Sequence, residues 1–410
     1  MKTDFGVFLV YRRILSCILI LLLIFGCSNR LLAAEAPAES ELYAKSAVLL
    51  DGDSGRILYE KNGHEALANA STTKILTCIL ALELCDQGSV VQVSAYAASQ
   101  PKVHLGMREG QSFYLKDLLY GLMLESFNDC AVAIAEFVAG DVRGFADLMN
   151  RKAEEIGCED SYFITPNGLD GEDKNGFHHT TAADLALIMR YCIRTSEKAA
   201  EFLQITQEAQ YSFTDVEGSS SYSCTNHNAF LQMMDGALSG KTGFTGNAGY
   251  CYVGALERDG RTYIVALLAC GWPNNKGYKW QDTRKLMTYG TEAFVKKNLL
   301  EIAPDRELLV PIPVEDGQGS GIGQTAWAEL SIEDYEGCAE LLLAADEEIS
   351  VKYELAKKLY APVDAGDYIG KISYMLRNEV LGEYQIVAQN AVEKIDYSWC
   401  VERILELLWL

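Results

Sequence analysis

Ser71-Thr-Thr-Lys-Ile-Leu-Thr-Cys-Ile-Leu-Ala-Leu-Glu-Leu-Cys85 is dense enough in apolar residues for a buried helix, and it opens on a serine and a lysine three positions apart. A helix starting there sets Ser71 and Lys74 one turn apart on the same face. A serine hydroxyl is a weak nucleophile until a base takes its proton. Lys74 becomes such a base when burial, a neighbouring cation and the positive end of a helix lower its pKa. The pattern alone is a weak signal, because Ser99-Gln100-Pro101-Lys102 repeats it. Pro101 sits badly inside a helical turn, so the second copy is read as chance.

Outward from this helix, Ser46 to Leu50 and Arg56 to Tyr59 read as two short strands around the turn Asp51-Gly-Asp-Ser-Gly55. Leu115 to Val138 has a helical pattern, broken near Ser126 to Asp129 by residues that favour turns. Thr181 to Ile193 and Trp280 to Lys297 read as further helices. Gly249 to Leu256 and Arg261 to Cys270 alternate and are rich in β-branched and aromatic residues, the pattern of paired strands around Asp259-Gly260. The mixture predicts an α/β or α+β domain over 41–300 with a central antiparallel sheet. After Pro304 the strand-like stretches Glu307 to Pro311, Ala326 to Ile332 and Tyr368 to Met375 predict a small β domain over 305–388. Gly317 to Gly323 matches no phosphate-binding pattern and is read as a flexible turn. In the last segment, 390–410, Ser398, Glu402 and Glu406 share one helical face while Trp399, Ile404, Leu405, Leu408 and Trp409 cover much of the rest. Such a helix fits a membrane interface and equally a packing face on the β domain.

The 410 residues carry 35 Lys plus Arg against 57 Asp plus Glu, a net charge of −22 that repels polyanions and argues against nucleic acid as a partner. Arg12 and Arg13 precede an apolar run from Ile14 to Phe25, with small residues around Ala33 and Ala34. This is the order of a secretory signal over 1–34, and the run is short for a spanning helix. Ile24-Phe25-Gly26-Cys27 also resembles a lipoprotein processing box that would put lipid on Cys27. Twelve cysteines show no C-x-x-C pair and no H-E-x-x-H occurs, so no metal site is indicated. Most of the cysteines lie among apolar neighbours, as free core thiols do.

Two more motifs carry chemistry. Ser126-Phe127-Asn128 lies 55 residues after Ser71. Its hydroxyl could pass a proton between Lys74 and a leaving amine, and the Asn128 amide could hold a substrate carbonyl or orient the lysine; a helix cap explains the same residues. Lys241-Thr242-Gly243 lies 115 residues further on, in a Gly-rich segment. On an edge strand it would let a ligand pair as an added strand, with Gly243 permitting close approach and Lys241 and Thr242 meeting a carboxylate.

In that order, the three motifs resemble the penicillin-recognising serine hydrolases. Ala68 to Thr77, Leu122 to Glu136, Phe163 to Asp170, His179 to Leu185 and Gly236 to Gly249 narrow the resemblance to the low-molecular-weight D-alanyl-D-alanine carboxypeptidases. The resemblance implies a β-lactamase/transpeptidase-like catalytic domain and an acyl-ester on Ser71 with Lys74 as general base. It also implies proton shuttling by Ser126, substrate contact by Asn128, and carboxylate binding by Lys241 and Thr242 beside Gly243. The backbone N–H groups of Ser71 and Phe244 would form the oxyanion hole, where losing one donor typically costs about 3–4 kcal/mol. Relatives often carry histidine where this chain has Phe244, but the role needs only the backbone. The implied substrates are peptidoglycan stem peptides ending in D-Ala-D-Ala, with β-lactams as covalent inhibitors, no cofactor, and a place at the extracytoplasmic face of the membrane or in the wall. Three alternatives are weighed against this. A β-lactamase-like hydrolase needs a loop glutamate to activate water, whereas Glu159 to Glu172 reads as the carboxypeptidase loop. A Ser-His-Asp hydrolase lacks its G-x-S-x-G elbow, and a non-catalytic wall-binding relative would have no use for the retained motif residues.

Overall fold

The computed structural model describes residues 34–302, 304, 306–337 and 339–408, so the leader read as an export signal lies, but for Ala34, outside the described residues. Five antiparallel strands form the central sheet: β1 (Ser46–Asp51), β2 (Ile57–Lys61), β3 (Ala237–Thr245), β4 (Gly249–Arg258) and β5 (Arg261–Leu268), in the spatial order β2-β1-β5-β4-β3. The β4–β5 hairpin closes over two residues, with Arg258 opposite Arg261 and both Asp259 and Gly260 at positive φ. This is the backbone that a tight hairpin matching the twist of its strands demands.

Both faces of the sheet are covered, and the side chains divide with the two-residue period of a strand. Val48, Leu50, Val253, Ala255, Ile264 and Ala266 face a helical layer. Ala47, Leu49, Tyr252, Leu256, Tyr263 and Val265 face the opposite side, which is closed by α3 (Tyr278–Ala293). The helical layer contains α1 (Lys74–Leu84) and α2 (Asn128–Ala139), both mostly buried. The helix expected over 280–297 stops at Ala293. Phe294–Asn298 is a strand paired antiparallel with Glu340–Ala344, because Phe294 and Val295 gain a partner strand there.

Beyond it the chain is β-rich, with strands Leu330–Gly337, Glu379–Ala388, Tyr368–Leu376 and Ile349–Leu355 in one sheet. Ile312, Leu341, Tyr374 and Ile386 share its core. The strand-like reading of 307–311 does not hold. Arg306–Leu308 is a short 3-10 turn, and pairing begins at Ile312, the residue after Pro311. This β-rich part meets the central sheet through polar contacts: Asp51 Oδ2 accepts from Leu342 N at 3.0 Å, while Arg56 donates to Leu342 O at 2.6 Å and pairs with Glu347. The final helix α4 (Tyr397–Leu408) buries no residue, and Asp396 caps its first turn through Trp399 N at 2.8 Å.

Nine cysteines are described and all are free, with Cys78, Cys130, Cys192, Cys224, Cys251 and Cys270 buried. Among the described residues no helix is long and apolar enough to cross a membrane, and no group of side chains has the make-up of a metal site.

Candidate active site

The three motifs converge on one cleft of about 320 Å³, whose lining includes Ser71, Ser126, Asn228, Lys241, Thr242, Gly243 and Phe244. Ser71 sits in a 3-10 turn (Ala70–Thr73), and the α-helix proper starts only at Lys74. The expected contact survives this shift because a 3-10 turn still brings positions i and i+3 together. Two close approaches hold the turn. A side chain on Gly168 would fall 1.9 Å from Ala70 O, and one on Gly243 would fall 2.8 Å from Ser71 N and 3.0 Å from Thr72 N. Glycine at 243 is therefore dictated by the packing of edge strand β3 against the backbone that carries the serine.

Lys74 is fully buried and reaches three oxygens through Nζ: Ser71 Oγ at 2.8 Å, Asn128 Oδ1 at 3.0 Å and Asn167 O at 2.6 Å. Burial first, then the nearby Lys241 charge, push its pKa well below the ordinary lysine value. A neutral amine has two N–H donors and one lone pair. The two fixed acceptors, Asn128 Oδ1 and Asn167 O, take the donors, and the lone pair is left for the Ser71 hydroxyl. The alternative acceptor for that hydroxyl, Asn167 O, is farther away at 3.4 Å.

Ser126 lies at a helix break with φ 67°, between the turn Gly121–Glu125 and α2. Sequence reading placed the whole of Ser126 to Asp129 in that break, but Asn128 and Asp129 already form the first turn of α2. The Asn128 side chain is thereby fixed at both ends, donating to Pro101 O at 3.1 Å while accepting from Lys74. Lys241, on β3, donates to Ser126 Oγ and to Thr242 O, each at 2.9 Å. Burial lowers its pKa to about 7.

Several supporting residues escaped the sequence reading. Asn167 lends Lys74 its carbonyl, and its buried side chain donates to Gln100 Oε1 at 3.2 Å. His178 is buried, and burial lowers its pKa to about 3, so the ring is neutral. Its Nδ1 accepts from Ile164 N at 3.0 Å, which leaves Nε2 to donate to Thr73 Oγ1 at 2.9 Å. The histidine thus ties the loop over 159–178 to the turn bearing Ser71. Lys279 lines the cleft with its Nζ 4.8 Å from the Tyr250 and Trp280 ring centres. Neither Glu159 nor Glu172 lines the cleft, and the loop reaches Ser71 Oγ through the Asn167 carbonyl at 3.4 Å.

Residues 33–270 match the family described as D-alanyl-D-alanine carboxypeptidase, and residues 344–394 match the penicillin-binding protein 5 C-terminal domain. D-alanyl-D-alanine carboxypeptidase DacF of Bacillus subtilis is 28% identical over 406 residues, which covers 96% of this chain and 98% of that protein. The solved structure of a D-alanyl-D-alanine carboxypeptidase from Mycobacterium tuberculosis shares 31% identity with a TM-score of 0.57, covering 63% of this chain and 94% of that one. DacD from Francisella tularensis superposes with a TM-score of 0.66 at 22% identity, covering 90% of this chain and 98% of that one, and so extends the likeness in fold to the β-rich part.

Proposed function

Because the chain belongs to the D-alanyl-D-alanine carboxypeptidase family, we propose that Ser71 is its nucleophile and Lys74 the base that activates it. The enzyme is a serine hydrolase that removes the terminal D-alanine from wall peptides ending in D-Ala-D-Ala. The observation that carries the residue roles is the 2.8 Å contact from Lys74 Nζ to Ser71 Oγ, made by a lysine whose two other acceptors leave its lone pair on the hydroxyl.

In the reaction, Lys74 takes the Ser71 proton as Oγ attacks the carbonyl carbon of the scissile bond. The backbone N–H groups of Ser71 and Phe244 receive the developing oxyanion. Lys241 and Thr242 hold the terminal carboxylate, with Gly243 letting the peptide lie against β3. Asn128 orients Lys74 and contacts the substrate. Collapse of the tetrahedral intermediate breaks the C–N bond, and the proton passes from Lys74 through Ser126 to the departing D-alanine amine. Water then cleaves the Ser71 ester by the same base. The cycle closes on protein groups alone and needs no cofactor. A β-lactam would acylate Ser71 by the same attack. With neither Glu159 nor Glu172 lining the cleft to activate a water, the penicilloyl ester would be cleared slowly.

The substrate lies outside the cytoplasm, which supports reading residues 1–34 as an export signal, placing the enzyme at the extracytoplasmic face of the membrane or in the wall. The exposed apolar side chains of α4, Tyr397, Ile404, Leu405, Leu407 and Leu408, support peripheral membrane contact through 390–410. Free D-alanine released from diacetyl-Lys-D-Ala-D-Ala tests the core of this reading. Ser71→Ala is expected to reduce release by about a thousandfold or more. Residual turnover near wild type would remove Ser71 from the role.

A further inference from the structure

The wall of the Ser71 cleft that carries Ser126 begins at Glu125, and the stretch Asn226, His227 and Asn228 lines the same cleft. The mechanism above leaves Glu125 and His227 without a task. The two meet: His227 Nε2 donates to Glu125 Oε2 at 2.8 Å, and Thr225 N donates to the other carboxylate oxygen, Oε1, at 2.7 Å. Each bond has a charged acceptor, which makes it short and strong. The Glu125 side chain is only 19% exposed, so water competes less for it than for a surface ion pair.

The stretch that receives Glu125 is pinned on both sides of His227. Asn226 Nδ2 donates to Thr206 O and to Glu208 O, each at 2.9 Å, at the end of the helix Ala199–Gln207. Asn226 Oδ1 accepts from Asn228 N at 2.9 Å. Asn228 Oδ1 in turn accepts from Tyr252 Oη at 3.0 Å, on β4, the strand that pairs with β3. His227 therefore stands on an abutment tied to the sheet that carries Lys241.

What this clamp adjoins is a residue in an unfavourable backbone conformation. Ser126 has φ 67°, in the left-handed region that a residue other than glycine keeps only where its neighbours impose it. Its Oγ accepts from Lys241 Nζ at 2.9 Å, but that lysine is also the group that meets the substrate carboxylate. A hold on Ser126 that does not pass through Lys241 matters most once substrate is seated. We propose that Glu125 and His227 are positioning residues for Ser126, fixing the left-handed turn so that Oγ stays on the path from Lys74 to the departing amine. The inference rests on the proton-shuttle role given to Ser126 above.

The test separates the placing of a proton donor from general support of the cleft. In the peptide, the C–N bond breaks as the amine takes the proton that Lys74 passes through Ser126. In a thiolester analogue ending in D-Ala-D-thiolactate, the C–S bond breaks with its electron pair on sulfur, the thiolate leaves without that proton, and Lys74 returns its proton to solvent. Both substrates keep the terminal carboxylate. The full-length enzyme is assayed on diacetyl-Lys-D-Ala-D-Ala and on the thiolester for kcat/KM, which counts the steps through acylation. Glu125→Ala and His227→Ala are each expected to lower the value for the peptide about tenfold and for the thiolester less than about twofold. Glu125→Gln keeps an oxygen for Thr225 N and pairs with the other tautomer of His227, so it stays within about threefold of wild type on both. Thiolester turnover reports that each variant is folded, and the His227 side chain, 65% exposed, is replaced without opening a cavity. Ser126→Ala sets the reference, with a larger loss confined to the peptide. If that reference holds while Glu125→Ala and His227→Ala lower both substrates equally, or neither, the positioning proposal is overturned and the shuttle stands. If Ser126→Ala spares the peptide, the shuttle reading falls and this inference with it.

Discussion

Two lysines share one buried site, and each is held there against its own charge. The unfolded chain protonates Lys241 up to the ordinary lysine value of 10.5, whereas the folded chain does so only up to about 7. The folded state thus binds fewer protons across that window, and stability rises with pH between about 7 and 10.5. Below pH 7 the buried charge costs on the order of 5 kcal/mol. Lys241→Met is expected to raise the melting temperature at pH 6–7 and to flatten the alkaline gain relative to wild type, while abolishing D-alanine release. Paired denaturation and activity series across pH check both halves. His178 acts in the same sense at acid pH. Its ring stays neutral down to about 3, so the folded state loses stability as pH falls from 6.5 toward 3. The motif residues were legible in the sequence because each is a chemically distinctive side chain at a characteristic spacing. The supporting roles of Asn167 and His178 were not, because one contributes a backbone carbonyl and the other a buried tautomer; the stretch Phe163 to Asp170 carried the family likeness without showing what Asn167 does.

Among the elements, β3 matters most to the chemistry, because it is the edge of the sheet and its backbone remains available to a ligand. Its register sets Lys241 opposite Val253 and Gly243 opposite Cys251, and the tight approach at Gly243 fixes its distance from Ser71 N. Gly243→Ala is expected to slow acylation by penicillin about a hundredfold, because the added methyl displaces backbone against backbone where an oxyanion donor must stay in place. Stopped-flow acylation beside a thermal melt separates this from unfolding. Sequence pattern located the strands of the central sheet well, since each alternates between two buried layers. It misplaced helix ends. Composition gives no warning that the chain leaves a helix at Ala293 when the partner strand, Glu340–Ala344, lies more than forty residues away. The turn at Ser71 is likewise decided by Gly168 and Gly243, which belong to distant parts of the chain.

For the molecule as a whole, the β-rich part is fastened to the sheet at Asp51, Arg56, Leu342 and Glu347, on the side of β1 and β2, whereas the cleft opens at β3 on the opposite edge. The motif side chains that shape the cleft come from the first 250 residues, and α4 supplies none of its lining. Removal of 390–410 is therefore expected to move the protein from membrane to soluble fraction with D-alanine release retained. Unchanged fractionation would overturn the anchoring role. That this helix exists was legible from its charge spacing, but that none of its residues is fully buried was not, because the same pattern serves a helix packed on the β domain. The described cysteines carry a further consequence. Cys85, Cys158 and Cys400 are partly accessible, the other six are buried, and none is bonded. An unfolded chain under oxidising refolding conditions would present all of these thiols at once, and any bridge formed then would trap a wrong topology. Native yield becomes a race in which collapse of the two layers around the sheet must outpace sulfur oxidation.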